Sequence, residues 1–159
     1  MIIGKKCIFA VNRSPMKEFP DTDGATPRLT LVNDLRQVSL LTGFVDRVRK
    51  EYDLAPALAA RINLALEEGV CNVIMYAYPE GTAGTMDLDA VREGNQLRFT
   101  LVDRGKAFDP TTVPEANPEA PLEERPVGGL GIHLVRSIMD SISYSRLDGK
   151  NVLTMIICL

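Results

Sequence analysis

The chain has 159 residues, of which 45% are hydrophobic and 25% charged, and its formal net charge at pH 7 is −3. This length favours one globular domain, and a mildly acidic chain without a basic tract is not expected to bind nucleic acid. No apolar stretch approaches the roughly 20 residues of a membrane span, so no membrane segment is predicted. The cysteines Cys7, Cys71 and Cys158 are few and far apart, which argues against a disulfide scaffold and favours a cytoplasmic protein with reduced thiols.

The first half of the chain has the pattern of one short strand followed by two helices. Residues 28–32 form the strand candidate, and Asn33 is predicted to cap a helix that runs to about residue 51, with apolar residues at steps of three or four. A second helix is predicted from about 56 to 77, and it is apolar around most of its girth, which is typical of a central helix. Residues 1–27 show little periodicity, and we treat them as an N-terminal extension of unknown role.

The second half of the chain predicts two hairpins separated by a long loop and a helix. MDLDAV and QLRFTLV alternate around residues 93–95, which indicates an antiparallel hairpin. Five prolines exclude regular structure between 110 and 127, and a helix is predicted from GGLGIHLV at 128–135. A last hairpin turns at 148–150. This order predicts an α+β fold: a two-layer sandwich in which a mixed, mostly antiparallel sheet carries helices on one face.

Three segments contain residues that could carry chemistry, and the first is LALEEGVCNVIMYAY at 64–78. Glu68 and Asn72 are four residues apart, so they share one face of the predicted helix. Either they lie on the solvated face or they serve a site. In a site, the amide oxygen of Asn72 suits a hard cation such as Mg²⁺. Glu68 could accept a proton from a hydroxyl group or a water molecule.

The second segment is LVDRGKAFDP at 101–110, where Asp103 directly follows a predicted strand. A carboxylate at this position can accept a hydrogen bond from an exocyclic amine such as that of adenine, and Gly105 allows a sharp turn. The alternative is an ordinary Asp-x-Gly turn, because both residue types favour turns for local reasons. The segment taken alone favours the ordinary turn.

The third segment is GGLG, in which Gly128, Gly129 and Gly131 open a predicted helix. The glycines either turn the chain or let backbone N–H groups approach a phosphate at the positive end of the helix. The segment is not a Walker loop, because no Gly-Lys-Ser/Thr follows, and it lacks the βαβ context of a dinucleotide fingerprint. The long loop before it could close over a ligand as a lid.

Taken together and in this order, the three segments resemble the N, G1 and G2 boxes of the Bergerat-fold (GHKL) ATPases. Within that superfamily the chain resembles the anti-sigma factor serine/threonine kinases, over about residues 28–159. The resemblance implies a Bergerat ATP-binding fold and an ATP-dependent protein serine/threonine kinase that uses Mg²⁺. Histidine kinases usually carry Asn where this chain has Glu68, so Glu68 argues against a histidine-kinase fragment.

The resemblance also implies a role for each matching residue. Asn72 would coordinate Mg²⁺, Glu68 would be the general base, and Asp103 would bind the adenine amino group. Residues 110–127 would form the ATP lid. The residues implied to hold the nucleotide are Asp103, Gly105, Gly128, Gly129, Gly131 and Thr154.

The partners that the resemblance implies are a sigma factor and an anti-sigma-factor antagonist with a STAS-type domain, whose serine or threonine would be phosphorylated. Relatives are often dimers, so a homodimer is possible, and neither nucleic acid nor a membrane is expected as a partner. The alternative hypothesis is a non-catalytic module that binds ATP and regulates by partner binding only. The residue that separates the two hypotheses is Glu68.

Overall fold

A sheet of five strands forms one layer of the computed structural model, which describes residues 26–112 and 129–159. The strands are β1 (Arg28–Val32), β2 (Thr85–Glu93), β3 (Gln96–Asp103), β4 (Ser141–Leu147) and β5 (Lys150–Cys158). They follow the order β1-β2-β3-β5-β4, and each described pairing is antiparallel. The predicted α+β fold with a mostly antiparallel sheet is therefore confirmed, with no parallel pair among the described strands.

In the described part of the chain, three α-helices form the second layer. They are α1 (Leu40–Glu51), α2 (Pro56–Tyr76) and α3 (Gly129–Ile138). Pro56 occupies the first turn of α2, where its missing N–H group costs nothing. No helix within the two described ranges is long and apolar enough to cross a membrane.

The start of the first helical segment differs from the sequence prediction. Residues Leu35–Ser39 form a 3₁₀ helix before α1, and the side chain that caps it is Asp34, which accepts from the N–H of Arg36 at 2.9 Å. Asn33 instead ties β1 to the loop before β2. Its side chain donates to the carbonyl of Thr82 at 2.7 Å and accepts from the N–H of Gly84 at 2.8 Å. The prediction of Asn33 as the cap was wrong by one residue, because Asp and Asn are both good caps and a distant loop takes the Asn.

Both predicted hairpins are present with two-residue turns. Glu93 pairs with Gln96, and Leu147 pairs with Lys150. In the second turn Asp148 and Gly149 have φ angles of 49° and 76°. Two successive positive φ values match the turn type whose twist suits an antiparallel hairpin.

The core lies between one face of the sheet and the helices, with α2 at its centre. Ala65, Leu66 and Val70 of α2 are fully buried, which confirms the central position expected from its composition. A Cβ added at Gly69 would lie 3.8 Å from Cδ2 of Leu101, so α2 runs directly over β3. This packing brings the carboxyl-terminal half of α2 to the end of β3, where Asp103 lies.

Candidate functional site

A pocket opens between the carboxyl-terminal half of α2, the start of α3 and the adjoining ends of β3 and β5. Its walls include apolar, amide, carboxyl and aromatic side chains. The lining residues that matter below are Asn72, Asp103, Lys106, Tyr144, Asn151 and Leu153. The pocket therefore joins the first two sequence motifs, which are separated along the chain.

The packing of α3 on α2 brings the third motif to the first. A Cβ built at Gly131 would overlap Oε2 of Glu68, and it would lie 3.5 Å from Cδ of Glu68 and 3.7 Å from Nδ2 of Asn72. The absence of a side chain at Gly131 thus leaves room for the carboxylate and keeps the amide close. Glu68, Asn72 and the first turn of α3 form one cluster, which we call the carboxylate–amide cluster.

The amide of Asn72 has an unused hydrogen-bonding group. Its Nδ2 atom is buried and has no hydrogen-bond partner within the described part of the chain. Leaving such a donor unpaired costs about 1–3 kcal/mol, so a buried amide without a partner requires an explanation. A site that takes a polar ligand supplies one, because the amide oxygen suits a hard cation and the amide N–H₂ suits an anionic oxygen.

The carboxyl groups of α2 make this part of the site electronegative. Burial raises the pKa of the Cys71 thiol, and the nearby charges of Glu68 and Glu67 raise it further. Negative charge that disfavours a thiolate here favours a cation for the same reason. The first turn of α3 contributes positive partial charge from its backbone N–H groups. The cluster thus combines a cation-favouring wall with an anion-favouring helix end.

Asp103 lies at the end of β3 and is only 5% exposed. Its Oδ1 accepts hydrogen bonds from the N–H of Gly105 at 2.7 Å and from Nδ2 of Asn151 at 2.9 Å. No donor within the described ranges reaches Oδ2. The carboxylate of Asp103, a lining residue of the pocket, is therefore held by Oδ1, and its Oδ2 is an acceptor without a donor in the described ranges.

Gly105 lets the loop after β3 close against the end of α2. A Cβ at this position would overlap the carbonyl oxygen of Ala77 and would lie 2.6 Å from its Cβ and 2.8 Å from its carbonyl carbon. The same carbonyl accepts from the N–H of Lys106 at 2.8 Å. The glycine is required by a close backbone approach, which is a stronger reason than the turn propensity available from sequence.

Replacing Gly105 by Ala is expected to lower the free energy of unfolding by about 1–3 kcal/mol, because the added methyl group meets fixed backbone. Urea unfolding measures this loss. The control is Gly43→Ala in α1, where a Cβ meets nothing within 4 Å. Gly43→Ala is expected to raise the free energy of unfolding by about 0.5–1 kcal/mol, because Ala is favoured over Gly inside a helix by this amount. Equal stability of the two variants would contradict the close approach.

Some of the residues implied by the resemblance are not brought to the pocket or lie outside the described ranges. Gly129 is the first residue of α3, whereas Gly128 and residues 113–127 of the predicted lid are not described. Thr154 lies opposite Thr100 in the β3–β5 register. Because successive strand side chains point to opposite faces, Thr154 points away from the helices, whereas its neighbour Leu153 lines the pocket.

The residue at the pocket that sequence reasoning missed is Asn151, which is 5% exposed and in register with Asp103. A polar residue at the start of the alternating run NVLTMIIC was the available signal. The signal was insufficient because the partner of Asn151 lies 48 residues earlier in the chain. Such a pairing follows from the order of the strands and not from local sequence.

The protein-family model described as the histidine kinase-like ATPase domain matches residues 31–157 of this chain. The chain belongs to this family. The match to the histidine kinase-like ATPase domain begins within β1, ends within β5 and includes all three motifs. The GHKL resemblance predicted from the sequence is thereby confirmed.

Curated relatives of this chain are named as kinases of serine or threonine. The serine/threonine-protein kinase BtrW of Bordetella bronchiseptica is 29% identical over 94 residues, which are 59% of this chain and 66% of the relative. The serine-protein kinase RsbW of Oceanobacillus iheyensis is 23% identical over 117 residues, 71% of this chain and 72% of the relative. RsbW of Halalkalibacterium halodurans is 31% identical over 98 residues, and the alignment covers 59% of each chain. The chain therefore spans less than two thirds of the length of BtrW and of the last relative.

A solved structure shares the fold. The RsbU and RsbW domains of a Mycobacterium tuberculosis protein superpose with a TM-score of 0.58 at 16% identity, over 84% of this chain and 33% of that one. At this identity the similarity shows the fold alone. It agrees with the sheet and helix arrangement described above.

Proposed function

We propose that this chain is an ATP-dependent protein serine/threonine kinase that acts as an anti-sigma factor. It binds Mg·ATP and phosphorylates a serine or threonine of a STAS-type antagonist protein. The observation that carries the proposal is the carboxylate–amide cluster at the first turn of α3, where Gly131 leaves room for Glu68 beside the buried Nδ2 atom of Asn72, which has no hydrogen-bond partner among the described residues. The kinase names of the relatives support the same activity.

Each residue of the cluster has a separate task. Glu68 accepts the proton of the attacking hydroxyl, for which a carboxylate is suited. Asn72 would hold Mg²⁺ through its amide oxygen, and the chemistry that the ion would supply is neutralisation of charge on the phosphates. The backbone N–H groups at Gly129 and Gly131 bind phosphate oxygens at the positive end of α3, and the same role for Gly128 stays a prediction from the sequence. Asp103 accepts from the adenine amino group, and Gly105 keeps the loop close enough for that contact.

The partner surface proposed for the sigma factor and the antagonist is the first helical segment, which consists of the 3₁₀ helix Leu35–Ser39 and α1, together with the predicted lid. Leu35 and Leu40 are exposed to 56% and 47% on this segment. Arg36 lies between them and is paired with Asp34 by a short ion pair at the surface. Exposed apolar side chains around a charged group are typical of protein-binding sites. A homodimer and a cytoplasmic location remain predictions from the sequence.

Nucleotide binding is tested first by unfolding with and without Mg·ATP. At a concentration 100 times the dissociation constant, the ligand is expected to raise the free energy of unfolding by about 2.7 kcal/mol. Asn72→Ala is expected to lose most of that gain, because it removes the oxygen that holds the cation. Calorimetric or denaturant unfolding of both proteins measures the effect.

The matched control for that experiment is Asn63→Ala. Asn63 is another partly buried asparagine of α2, and its Oδ1 likewise has no hydrogen-bond partner among the described residues, but its amide N–H₂ donates to Glu67 at 2.7 Å and the residue does not line the pocket. This variant is expected to keep the full response to Mg·ATP. If the wild type does not respond to Mg·ATP, or if both variants lose the response equally, the assignment of the cluster is overturned.

A further inference from the structure

Asn151 joins four groups at the floor of the pocket. Its Nδ2 donates to Oδ1 of Asp103 at 2.9 Å and to the carbonyl of Lys106 at 3.0 Å. Its Oδ1 accepts from the hydroxyl of Tyr144 at 2.7 Å and from Nη1 of Arg146 at 2.6 Å. Two donated and two accepted bonds fill the hydrogen-bonding capacity of a side-chain amide.

The chemistry of these partners fixes which way the amide points. A hydroxyl and a guanidinium face one side of the amide, and a carboxylate and a carbonyl face the other. A half turn of the amide would place its oxygen against two acceptors and its N–H₂ group against the guanidinium. Such a buried reversal loses the bonds to Arg146, Asp103 and the carbonyl of Lys106, and only the hydroxyl of Tyr144 could accept instead of donate, so Nδ2 stays directed at Asp103.

The network also connects three strands and the loop after β3. Asp103 and Asn151 are register partners on β3 and β5, and Arg146 is the register partner of Asn151 on β4. Arg146 donates in addition to the carbonyl of Gly105 at 3.1 Å. The edge strand β4 therefore holds both the amide of Asn151 and the turn at Gly105 by hydrogen bonds. The carboxylate of Asp103 is held from two directions while its Oδ2 is left at the pocket.

We propose that Asn151 is the positioning residue that makes the pocket select a 6-amino purine over a 6-oxo purine. This inference rests on the proposed function and concerns the base of its nucleotide. Held by Asn151, Asp103 presents Oδ2 as a fixed acceptor, which pairs with an amino group and opposes a carbonyl oxygen. Without Asn151 the carboxyl group loses one of its two described donors and can rotate, so Oδ2 is no longer a fixed acceptor for the amino group.

The test compares the affinities of the wild type and of Asn151→Ala for Mg·ATP and Mg·ITP by titration calorimetry. ITP carries an oxo group where ATP carries the amino group. The wild type is expected to prefer ATP by about 10²-fold or more, since a site built to pair with an amino group rejects its replacement. Asn151→Ala is expected to reduce that preference to below about tenfold, mainly through weaker ATP binding. A purely structural role would weaken both nucleotides by the same factor and leave the ratio unchanged.

Two further variants separate positioning from general damage. Tyr144→Phe keeps the ring at the pocket and removes only the hydroxyl that binds Oδ1 of Asn151, so the ATP preference is expected to fall by about three- to tenfold. Ser143→Ala changes the neighbouring residue of β4, whose side chain is exposed, and it is expected to keep the wild-type ratio. Circular dichroism checks that each variant is folded.

The outcomes distinguish this inference from the function on which it rests. A wild type that binds neither nucleotide overturns both. A wild type that binds ATP and ITP equally overturns the inference and the contact of Asp103 with the adenine amino group, but not the proposed kinase activity. An Asn151→Ala variant that keeps the wild-type ratio overturns the inference alone. If Asn151→Ala does not fold, Tyr144→Phe decides, and an unchanged ratio in that variant overturns the inference.

Discussion

Glu68→Gln is expected to slow phosphoryl transfer to a serine-bearing STAS-type protein by about 10²–10⁴-fold, the usual contribution of a general base. Glutamine keeps the size and the hydrogen-bonding reach of the side chain, but it cannot accept the proton of the attacking hydroxyl. Mg·ATP binding is expected to stay close to that of the wild type, because the oxygen of Asn72 and the first turn of α3 are unchanged. Transfer of a labelled γ-phosphoryl group and the Mg·ATP-dependent gain in unfolding free energy measure the two effects.

The matched control is Glu67→Gln at the preceding position of α2. The carboxylate of Glu67 accepts from Asn63 at 2.7 Å, and the residue is not part of the carboxylate–amide cluster. Its loss is expected to leave transfer near the wild-type rate. A Glu68→Gln protein that transfers phosphate at the wild-type rate would remove Glu68 from the mechanism. A wild type that binds Mg·ATP but transfers nothing to the STAS-type protein would favour the non-catalytic module.

The parts of the fold that the sequence predicts well are those set by neighbouring residues. The turn at Asp148 and Gly149 needs two positive φ angles, and these residue types accept them locally. The apolar girth of α2 likewise indicates a central helix without knowledge of its neighbours. The 3₁₀ start of the first helical segment was missed, because the competition for Asn33 comes from the loop at Thr82 and Gly84.

In the candidate site, too, the sequence predicts what neighbouring residues determine and misses what distant packing determines. Glu68 and Asn72 share a helix face through their spacing alone, and Asp103 and Gly105 belong to one local turn. The contact of Gly131 with the first pair depends on the packing of α3 against α2, and no local signal carries it. On β5 the face of the sheet to which a side chain points decides whether the residue can reach the pocket. Side chains alternate between faces, so a position shifted by an odd number of residues, as Thr154 is from Asn151, lies on the other face.

Gly131→Ala is expected to separate stability from catalysis. Alanine is favoured over glycine by up to about 1 kcal/mol within a helix, so the free energy of unfolding should stay the same or rise. The new Cβ would overlap Oε2 of Glu68, and that carboxylate, at the end of a flexible side chain, can swing away without unfolding the protein. A displacement of about 1 Å at a reacting group can cost about 10²-fold in rate, and we expect a loss of this size in phosphoryl transfer.

The comparison for Gly131→Ala is the Gly43→Ala variant of α1. Both substitutions add one methyl group to a helical glycine, but the methyl group at position 43 meets nothing within 4 Å. Gly43→Ala is therefore expected to gain stability and to keep the wild-type rate. Denaturant unfolding and the labelled transfer assay, run on both variants, measure the two quantities.

The possible outcomes for Gly131→Ala have different meanings. If Gly131→Ala keeps the wild-type rate, the Glu68 carboxylate does not act from the position beside α3. If Gly131→Ala loses stability instead, the first turn of α3 is packed too tightly for the carboxylate to move. Stability kept with transfer lost would show that the space at Gly131 serves the chemistry and not the fold.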